Sequence, residues 1–335
     1  MNSFGRMFRI SIFGESHGPA VGVLVDGCPA GLALAAADLE ADLARRRSGR
    51  PGTTPRREPD IPEIQSGVFD GRTTGAPILI RFANEAADPA AYERLRETPR
   101  PSHADLPARM KYGGWNDPRG GGPFSGRLTV GLVAAGAVAR KIIDPVRVSA
   151  KLVEAGGRAD VEAAVERALA EKQTIGGIVA CEVAGVPAGL GEPFFDSVES
   201  LLAHILFAIP AVKGVEFGAG FAIARMTGAA ANDPIVGADG RTATNNAGGI
   251  GGGIANGNPI VFRVAVKPTP SLPTLQRTID LRTGEPAEVL AAGRHDACIA
   301  LRVPVVAEAA AAIVLADLLL LEQKRPRVRP GDAGR

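Results

Sequence analysis

The chain has 335 residues, of which 45% are hydrophobic, 22% charged and only 4% aromatic, with a formal net charge of +2. That is ample for the core of one large domain or two ordinary ones, and a net charge so near zero leaves every electrostatic argument to local clusters. No run of eighteen apolar residues occurs and the start, MNSFGRMFRISIFGESHG, has no signal-peptide core, so a cytoplasmic chain without membrane contact is predicted.

In chain order, a strand-like FRISIF runs into the turn GESHG, which places Glu15, Ser16 and His17 where a strand ends. This is not the GxSxG spacing of a nucleophile elbow. DGCPAGL then leads to a helix, AAADLEADLARRR, with Leu39 and Leu43 on one face. The run RRRSGRPGTTPRR, from Arg45 to Arg57, contains no acid. Its first three arginines close a helix, where cations are favoured by the macrodipole, but the run also suits a phosphorylated, carboxylated small molecule, because guanidinium forks grip both groups. A nucleic-acid patch is the competing reading, and the absence of interleaved aromatic residues weighs against it.

The stretch from Arg100 to Thr129 gathers His103, Asp105, Asp117, the only tryptophan (Trp115), Arg109, Lys111, Arg119, Arg127 and a GGG run. Its cations outnumber its carboxylates, and glycines let backbone N–H groups approach an anion, so an active-site loop is predicted. A helix, VAAGAVARKII, follows. DVEAAVERALAEK reads as an exposed helix with Val161, Val165 and Leu169 inward and no chemistry. After AGVPAGL comes another helix, with Leu201, Ile205 and Ala208 on its apolar face. Near the end, Lys267, Arg294, His295, Asp296 and Arg302 recur among Gly and Pro; acids beside bases suit proton transfer, although a structural ion pair gives the same sequence. Three distant cysteines, Cys28, Cys181 and Cys298, speak against a disulfide framework or a CxxC zinc site, and no metal site is predicted.

The chain echoes itself. PAGL occurs at residues 29–32 and 187–190, DGRT at 70–73 and 239–242, and HAD followed by Arg127 and a helix is answered by HDA at 295–297, Arg302 and a helix. These echoes predict one α/β domain over 1–335 with pseudo-two-fold repeats at about 7–143 and 175–322, sheets layered with helices, and a frayed tail at 323–335. Neither GxGxxG nor GxxxxGK[ST] appears, so a doubly wound nucleotide fold is not predicted.

Taken in order, GESHG, RRR with TTPRREPD, SGVFDGRTTGAPI, RPSHAD with KYG and RGGG, AGVPAGLGEP, AVKGVEFG, AGGI with GGI, KPTPS and GRHDAC span nearly the whole chain and resemble the motifs of the chorismate synthase family. The resemblance implies a β-α-β sandwich with internal pseudosymmetry, a homotetramer, and reduced FMN as cofactor. The implied reaction is anti-1,4-elimination of phosphate from 5-enolpyruvylshikimate 3-phosphate to give chorismate. It implies that His17 protonates the departing phosphate, that His103 protonates reduced flavin, and that Asp296 serves the ring proton, with Ser16 and Ser125 lining that relay. Arg45, Arg46, Arg47, Arg127 and Arg302 match substrate contacts. Pro123, Phe124, Ser125, Pro210, Ala211, Gly252, Lys267, Pro268, Thr269, Pro270, Ser271 and Arg294 match flavin contacts. NADPH is the flavin reductant in some members and an external reductase in others. Pro123 replaces the Arg or His usual after RGGG, and SGRPG replaces a PGQS-like stretch after RRR. The alternatives to synthase activity are a paralogue of this fold with altered or lost activity and a non-catalytic phosphate- or RNA-binding protein.

Overall fold

A computed structural model of the chain describes residues 2–86, 90–291 and 295–324. The first half contains β1 (Ser3–Phe4), β2 (Arg9–Gly14), β3 (Ala20–Asp26), α1 (Ala37–Arg46), β4 (Glu63–Ile64), a small hairpin β5 (Val68–Phe69) and β6 (Arg72–Thr73), β7 (Ile78–Ala83), α2 (Asp105–Tyr112) and α3 (Thr129–Ile143). The second contains β8 (Arg147–Ala155), α4 (Val161–Ala170), β9 (Gly177–Ala184), α5 (Val198–Ala208), β10 (Val212–Phe217), α6 (Gly228–Ala231), hairpins β11 (Ile250–Gly251)–β12 (Ile254–Ala255) and β14 (Gln276–Ile279)–β15 (Pro286–Val289) either side of β13 (Ile260–Val266), and finally α7 (Val303–Lys324).

The two main sheets are antiparallel. One has the order β1-β2-β3-β7-β4 and the other β10-β13-β9-β8. Without β1, the first sheet read from β2 and the second read from β8 have the same plan, apart from α4 inserted between β8 and β9: two adjacent antiparallel strands, a helix, then two more strands with the outermost strand coming earlier in the chain, and a second helix. The motif echoes fall on this plan, since PAGL follows β3 and β9, each DGRT precedes β7 or β13, and the two His–Asp segments precede α3 and α7. The second unit therefore begins at β8, ahead of the residue-175 start read from the sequence. β8 carries Arg147, Ser149, Lys151 and Glu154 among its apolar residues, and its polar face hides the strand from a motif search.

Inward-facing Ile78, Ile80 and Phe82 of β7 and Ile260, Phe262 and Val264 of β13 are buried at alternate positions, as a sheet with one covered face requires. The cover is a helical layer shared by both sheets: α3 packs on the first sheet, α7 on the second, and the two helices pack on each other, giving a β-α-β sandwich. Small residues allow this. A methyl on Gly136 of α3 would lie 2.3 Å from the Ala309 Cβ of α7, and one on Gly131 would lie 2.9 Å from the Gly22 carbonyl of β3. Both helices are consequently apolar nearly all round, and α7 is long and apolar enough to cross a membrane yet 89% buried over that window.

The two buried carboxylates on that helix are accounted for. Asp317 accepts the backbone N–H groups of Arg6, Met7 and Phe8, and Glu308 accepts from both Arg45 and Arg140 and from the Ala150 N–H. A buried carboxylate without such donors would cost on the order of several kcal/mol, so these two charges tie α7 to the first hairpin and to β8.

Some helix faces differ from expectation. In α4 the buried residues are Ala164, Val165 and Ala168 while Leu169 is exposed, and in α5 they are Val198, Leu202, Ile205 and Leu206 rather than Leu201 and Ala208. Each apolar triplet read from the sequence shares only its middle residue, Val165 or Ile205, with the stripe that meets the core. The tail boundary also shifts, because α7 continues through Gln323 and Lys324; residues 325–335 lie outside the described residues. All three cysteines are free and buried.

Candidate active site

A cavity of about 300 Å³ opens where the two halves meet, with walls from the β2–β3 turn, the end of α1, residues 48–60, the segment before α2, the Gly-rich turn before α3, residues 210–211, residues 267–271 and the segment leading into α7. Both His–Asp segments reach it. The lining holds six cations, Arg46, Arg56, Arg100, Arg127, Lys267 and Arg302, against three carboxylates, Glu58, Asp60 and Asp296.

Arg46 shows how the fold makes this wall. It sits at i+3 from Leu43 and i+7 from Leu39, on the one face of α1 that is buried, and it is 2% exposed itself. Arg45 and Arg47 lie about 100° to either side on the helix, and neither joins the cavity lining. Arg45 pairs with Glu308 at 2.6 Å and Arg47 with Glu40 at 2.5 Å. Helix geometry aims only one of three consecutive side chains at one place, and of the three arginines expected at the substrate only Arg46 lines this cavity.

Asp60 is the hub of the buried charges. It pairs with Arg46 at 2.6 Å and with Arg127, whose Nε donates to Asn84 Oδ1 at 2.9 Å. Burial raises the Asp60 carboxyl affinity for a proton, but the two guanidinium groups outweigh burial and hold it below the usual carboxylate range. Burial also pulls Arg46 down to about 10, Asp60 opposing and Arg302 and Arg127 adding to the fall. Arg302 donates from Nε to the Arg46 carbonyl at 2.9 Å and stands 3.6 Å from Asp296, whose Oδ1 accepts the Thr54 N–H at 2.9 Å.

Ser16 and His17 occupy the turn after β2. Arg56 donates to both Ser16 Oγ and its carbonyl at 3.0 Å, Arg56 is paired with Glu58, and the Ser16 N–H donates to the Gly122 carbonyl at 3.1 Å. His17 is 7% exposed and meets the Tyr92 ring edge-on at 4.9 Å, while His295 meets the same ring at 6.5 Å. The Gly-rich turn threads between the two site histidines: a methyl on Gly120 would sit 2.1 Å from His17 Nδ1, and one on Gly121 3.0 Å from His103 Cε1. These glycines admit imidazole side chains, a more specific role than the anion cradle read from the sequence.

His103 Nδ1 lies 2.6 Å from Asp105 Oδ1. Asp105 also takes the Arg100 backbone N–H and two guanidinium N–H groups, and Arg100 donates onward to Ser271 Oγ at 2.9 Å. Burial lowers the proton affinity of His103, Asp105 raises it and Arg100 lowers it again; the net shift is downward, favouring the neutral ring. Lys267 is likewise lowered, chiefly by burial, and donates to the Ser102 carbonyl at 2.6 Å.

Of the residues expected at the site, Ser16, His17, Arg46, His103, Phe124, Ser125, Arg127, Pro210, Ala211, Lys267, Thr269, Pro270, Ser271, Asp296 and Arg302 line this cavity. Pro123, Pro268 and Gly252 are not in the lining, Gly252 lying in the turn of the β11–β12 hairpin. Arg294 lies outside the described residues. Trp115 is 93% exposed, and the connection from 100 to 129 is broken up by α2 and two 3-10 turns. Sequence reasoning did not single out Arg56, Glu58, Asp60 and Asn84. The first three share the PRREPD segment at the end of the arginine run, where acids beside an acid-free basic stretch signal pairing. That pairing also removes the free basic strip that nucleic acid would need.

A cationic, partly apolar cavity with one buried and one half-buried histidine and a buried carboxylate, at the junction of two equivalent halves, marks an enzyme acting on a small polyanion with proton transfer. Comparisons with known proteins specify which. The family model described as Chorismate synthase matches residues 8–320. A chorismate synthase of Chitinophaga pinensis is 60% identical over 329 residues, covering 98% of this chain and 99% of that protein. One of Dehalococcoides mccartyi is 47% identical over 359 residues, covering 98% and 99%. A crystal structure of a chorismate synthase matches with a TM-score of 0.74 at 26% identity, covering 95% of this chain and 93% of the other. The chain belongs to the chorismate synthase family. Its activity is that of a carbon–oxygen lyase of the shikimate pathway, releasing phosphate from 5-enolpyruvylshikimate 3-phosphate to form chorismate, and nothing in the comparisons favours a non-catalytic binding protein.

Proposed function

We propose that this cavity holds reduced FMN beside the substrate and that the residues lining it carry the roles implied by the family motifs. The observation that carries the reading is the convergence of His17, His103 and Asp296, from three separate segments, on one wall with Arg46, Arg127 and Arg302. The lining fits a flat ring with an anionic arm: Phe124, Pro210, Ala211, Pro270 and Ile299 supply apolar surface, and Lys267, Thr269 and Ser271 supply polar groups. Bound there, reduced flavin supplies electron density that eases loss of an allylic phosphate with no net redox change.

The chain's own groups do the rest. Arg46, Arg127 and Arg302 neutralise the phosphate and carboxylates in a site where burial strengthens each contact. His17 delivers a proton to the leaving phosphate, Ser16 and Ser125 line the relay, and Asp296, held by Thr54 and Arg302, would help the bound flavin accept the ring proton. His103 would supply a proton to reduced flavin bound there. Pro123 brings no charge to this wall, so FMN affinity depends more heavily on Lys267 and on the substrate's presence. A homotetramer in the cytoplasm completes the reading. Its support is the exposure of Phe194, Phe195, Phe221 and Ile235, each at least 77% exposed, which calls for a covering surface; light scattering tests it. NADPH serves as reductant only if the protein reduces its own FMN.

The deciding experiment is anaerobic phosphate release from the purified protein with FMN, dithionite and 5-enolpyruvylshikimate 3-phosphate. Phosphate and chorismate are expected in equal amounts, and none with oxidised FMN. Asp296→Asn keeps the shape and removes the carboxylate, so turnover is expected to fall by about 10²-fold while substrate still binds. Turnover without flavin, or wild-type kcat in Asp296→Asn, would overturn these assignments.

A further inference from the structure

Arg56 lines the cavity, yet its guanidinium is engaged by the protein. Nε and Nη2 donate to Glu58 Oε1 at 2.9 and 2.5 Å, Nη1 donates to Ser16 Oγ at 3.0 Å, and Nη2 donates to the Ser16 carbonyl at 3.0 Å. Those four bonds take all but one of a guanidinium's N–H groups, so Arg56 has little left with which to grip a substrate directly. Glu58 is held in turn: its side chain is 6% exposed and its Oε2 accepts the Glu85 N–H at 3.0 Å. Burial raises its affinity for a proton, but that N–H and Arg56 outweigh burial and keep it below the usual carboxylate range, so the pair stays charged. The consequence falls on Ser16, which is 1% exposed. A guanidinium only donates, so Ser16 Oγ meets it as an acceptor and the hydroxyl proton must turn elsewhere. Among the described residues that proton has no acceptor. Ser16, Arg56 and Gly120 all line the cavity, and a methyl on Gly120 would stand 2.8 Å from Oγ, so the glycine leaves space beside the hydroxyl.

We propose that Arg56 is a positioning residue, held by Glu58, that fixes Ser16 as a hydrogen-bond donor to the anion bound in the cavity. This rests on the reading of Ser16 as part of the relay. The bond to the Ser16 carbonyl sets the register of the guanidinium fork, so that Nη1 meets Oγ. The bond to Oγ aims the hydroxyl proton away from Arg56, and a cation bonded to the oxygen makes that O–H a stronger donor. Without Arg56 the hydroxyl rotates freely and no longer meets a developing negative charge in one fixed direction. Lysine brings the charge but a single nitrogen, which cannot span Glu58, Oγ and the carbonyl as the planar fork does.

The test is a double-mutant cycle on the full-length protein, assayed anaerobically for phosphate release with FMN, dithionite and 5-enolpyruvylshikimate 3-phosphate. Arg56→Met and Ser16→Ala are each expected to lower kcat roughly ten- to a hundredfold with KM little changed, as for the loss of a hydrogen bond to a charged group made in the transition state. The double variant should stay within about twofold of Ser16→Ala alone, because Arg56 then has no hydroxyl to act on. Arg56→Lys keeps a cation beside Glu58 and runs through the same cycle, so a methionine variant that folds poorly does not end the test; its loss should likewise disappear in the Ser16→Ala background. Losses that multiply in the double variants, or a KM that rises while kcat holds, would overturn the proposal, since Arg56 would then be gripping substrate or supporting the fold independently of Ser16. Full turnover in Ser16→Ala would overturn the reading of Ser16 and the proposal with it, whereas a slow Ser16→Ala beside multiplying losses removes the role of Arg56 alone.

Discussion

Asp60→Asn is expected to cost about 3–5 kcal/mol of stability, since removing one partner of a buried ion pair leaves the other charge uncompensated. For a chain of 335 residues that corresponds to a fall in melting temperature of roughly 4–7 °C. Two cations are left, because Asp60 serves both Arg46 and Arg127, and Arg302 adds to their mutual repulsion. Asparagine is the appropriate replacement: Asp60 adopts a left-handed backbone with φ of 51°, which asparagine tolerates, so the change tests charge and not strain. The pH dependence has a defined sign. The folded carboxyl titrates below its unfolded value, so its contribution is complete above the unfolded pKa near 3.9 and is lost as pH falls through the lower folded pKa. Wild type and variant should accordingly converge only in strong acid. Inorganic phosphate should raise the melting temperature of the variant more than that of wild type, an anion taking the vacated place between the guanidinium groups. Equal melting temperatures with and without phosphate would show that Asp60 is not the counter-charge for this wall.

Most of the architecture was legible because the two halves repeat their punctuation. PAGL, DGRT and the His–Asp segments mark the same three junctions in each half, and the strands beside them, such as β7 and β13, are short apolar runs whose residues are buried at alternate positions. β8 was not legible, since its polar alternation carries no punctuation. The site was legible in its residue types, which the ordered motifs carry, and much less so in its wiring. Arg46 could have been separated from Arg45 and Arg47 by the Leu39, Leu43, Arg46 spacing alone, as that is a helical stripe and the other two arginines fall outside it. Asp60 and Glu58 could not have been assigned partners, because Asp60 meets Arg127 across 67 positions and Glu58 meets backbone N–H groups at Glu85 and Ala86. Long-range pairing of this kind is fixed by tertiary packing and leaves no local pattern. The glycines of RGGG misled in an instructive way: a Gly run reads as room for a ligand, and here the room is taken by His17 and His103.

That last point gives the largest effect expected on catalysis. Gly120→Ala would place a methyl 2.1 Å from His17 Nδ1, 2.3 Å from its Cε1 and 2.8 Å from Ser16 Oγ, so the ring or the turn has to move. The ring has little space. It is 7% exposed and lies against Tyr92, while Ser16 is tied to Arg56 and to the Gly122 carbonyl. Displacing two groups of the proposed relay by about an ångström should lower turnover on the order of 10³-fold, since a single misplacement of that size costs about 10²-fold. Part of any defect would come from the backbone, because Gly120 has a φ of +60° and alanine there costs roughly 1–2 kcal/mol. Gly71→Ala separates the two effects. Gly71 has a φ of +71° with nothing within 4 Å of where a methyl would stand, so it carries the strain without the clash. Both variants should lose similar stability, and only Gly120→Ala should lose turnover, with kcat falling more than substrate affinity. If the two variants keep the same kcat, the turn yields freely to the methyl, and the close approach of Gly120 to His17 has no bearing on how the imidazole is aimed.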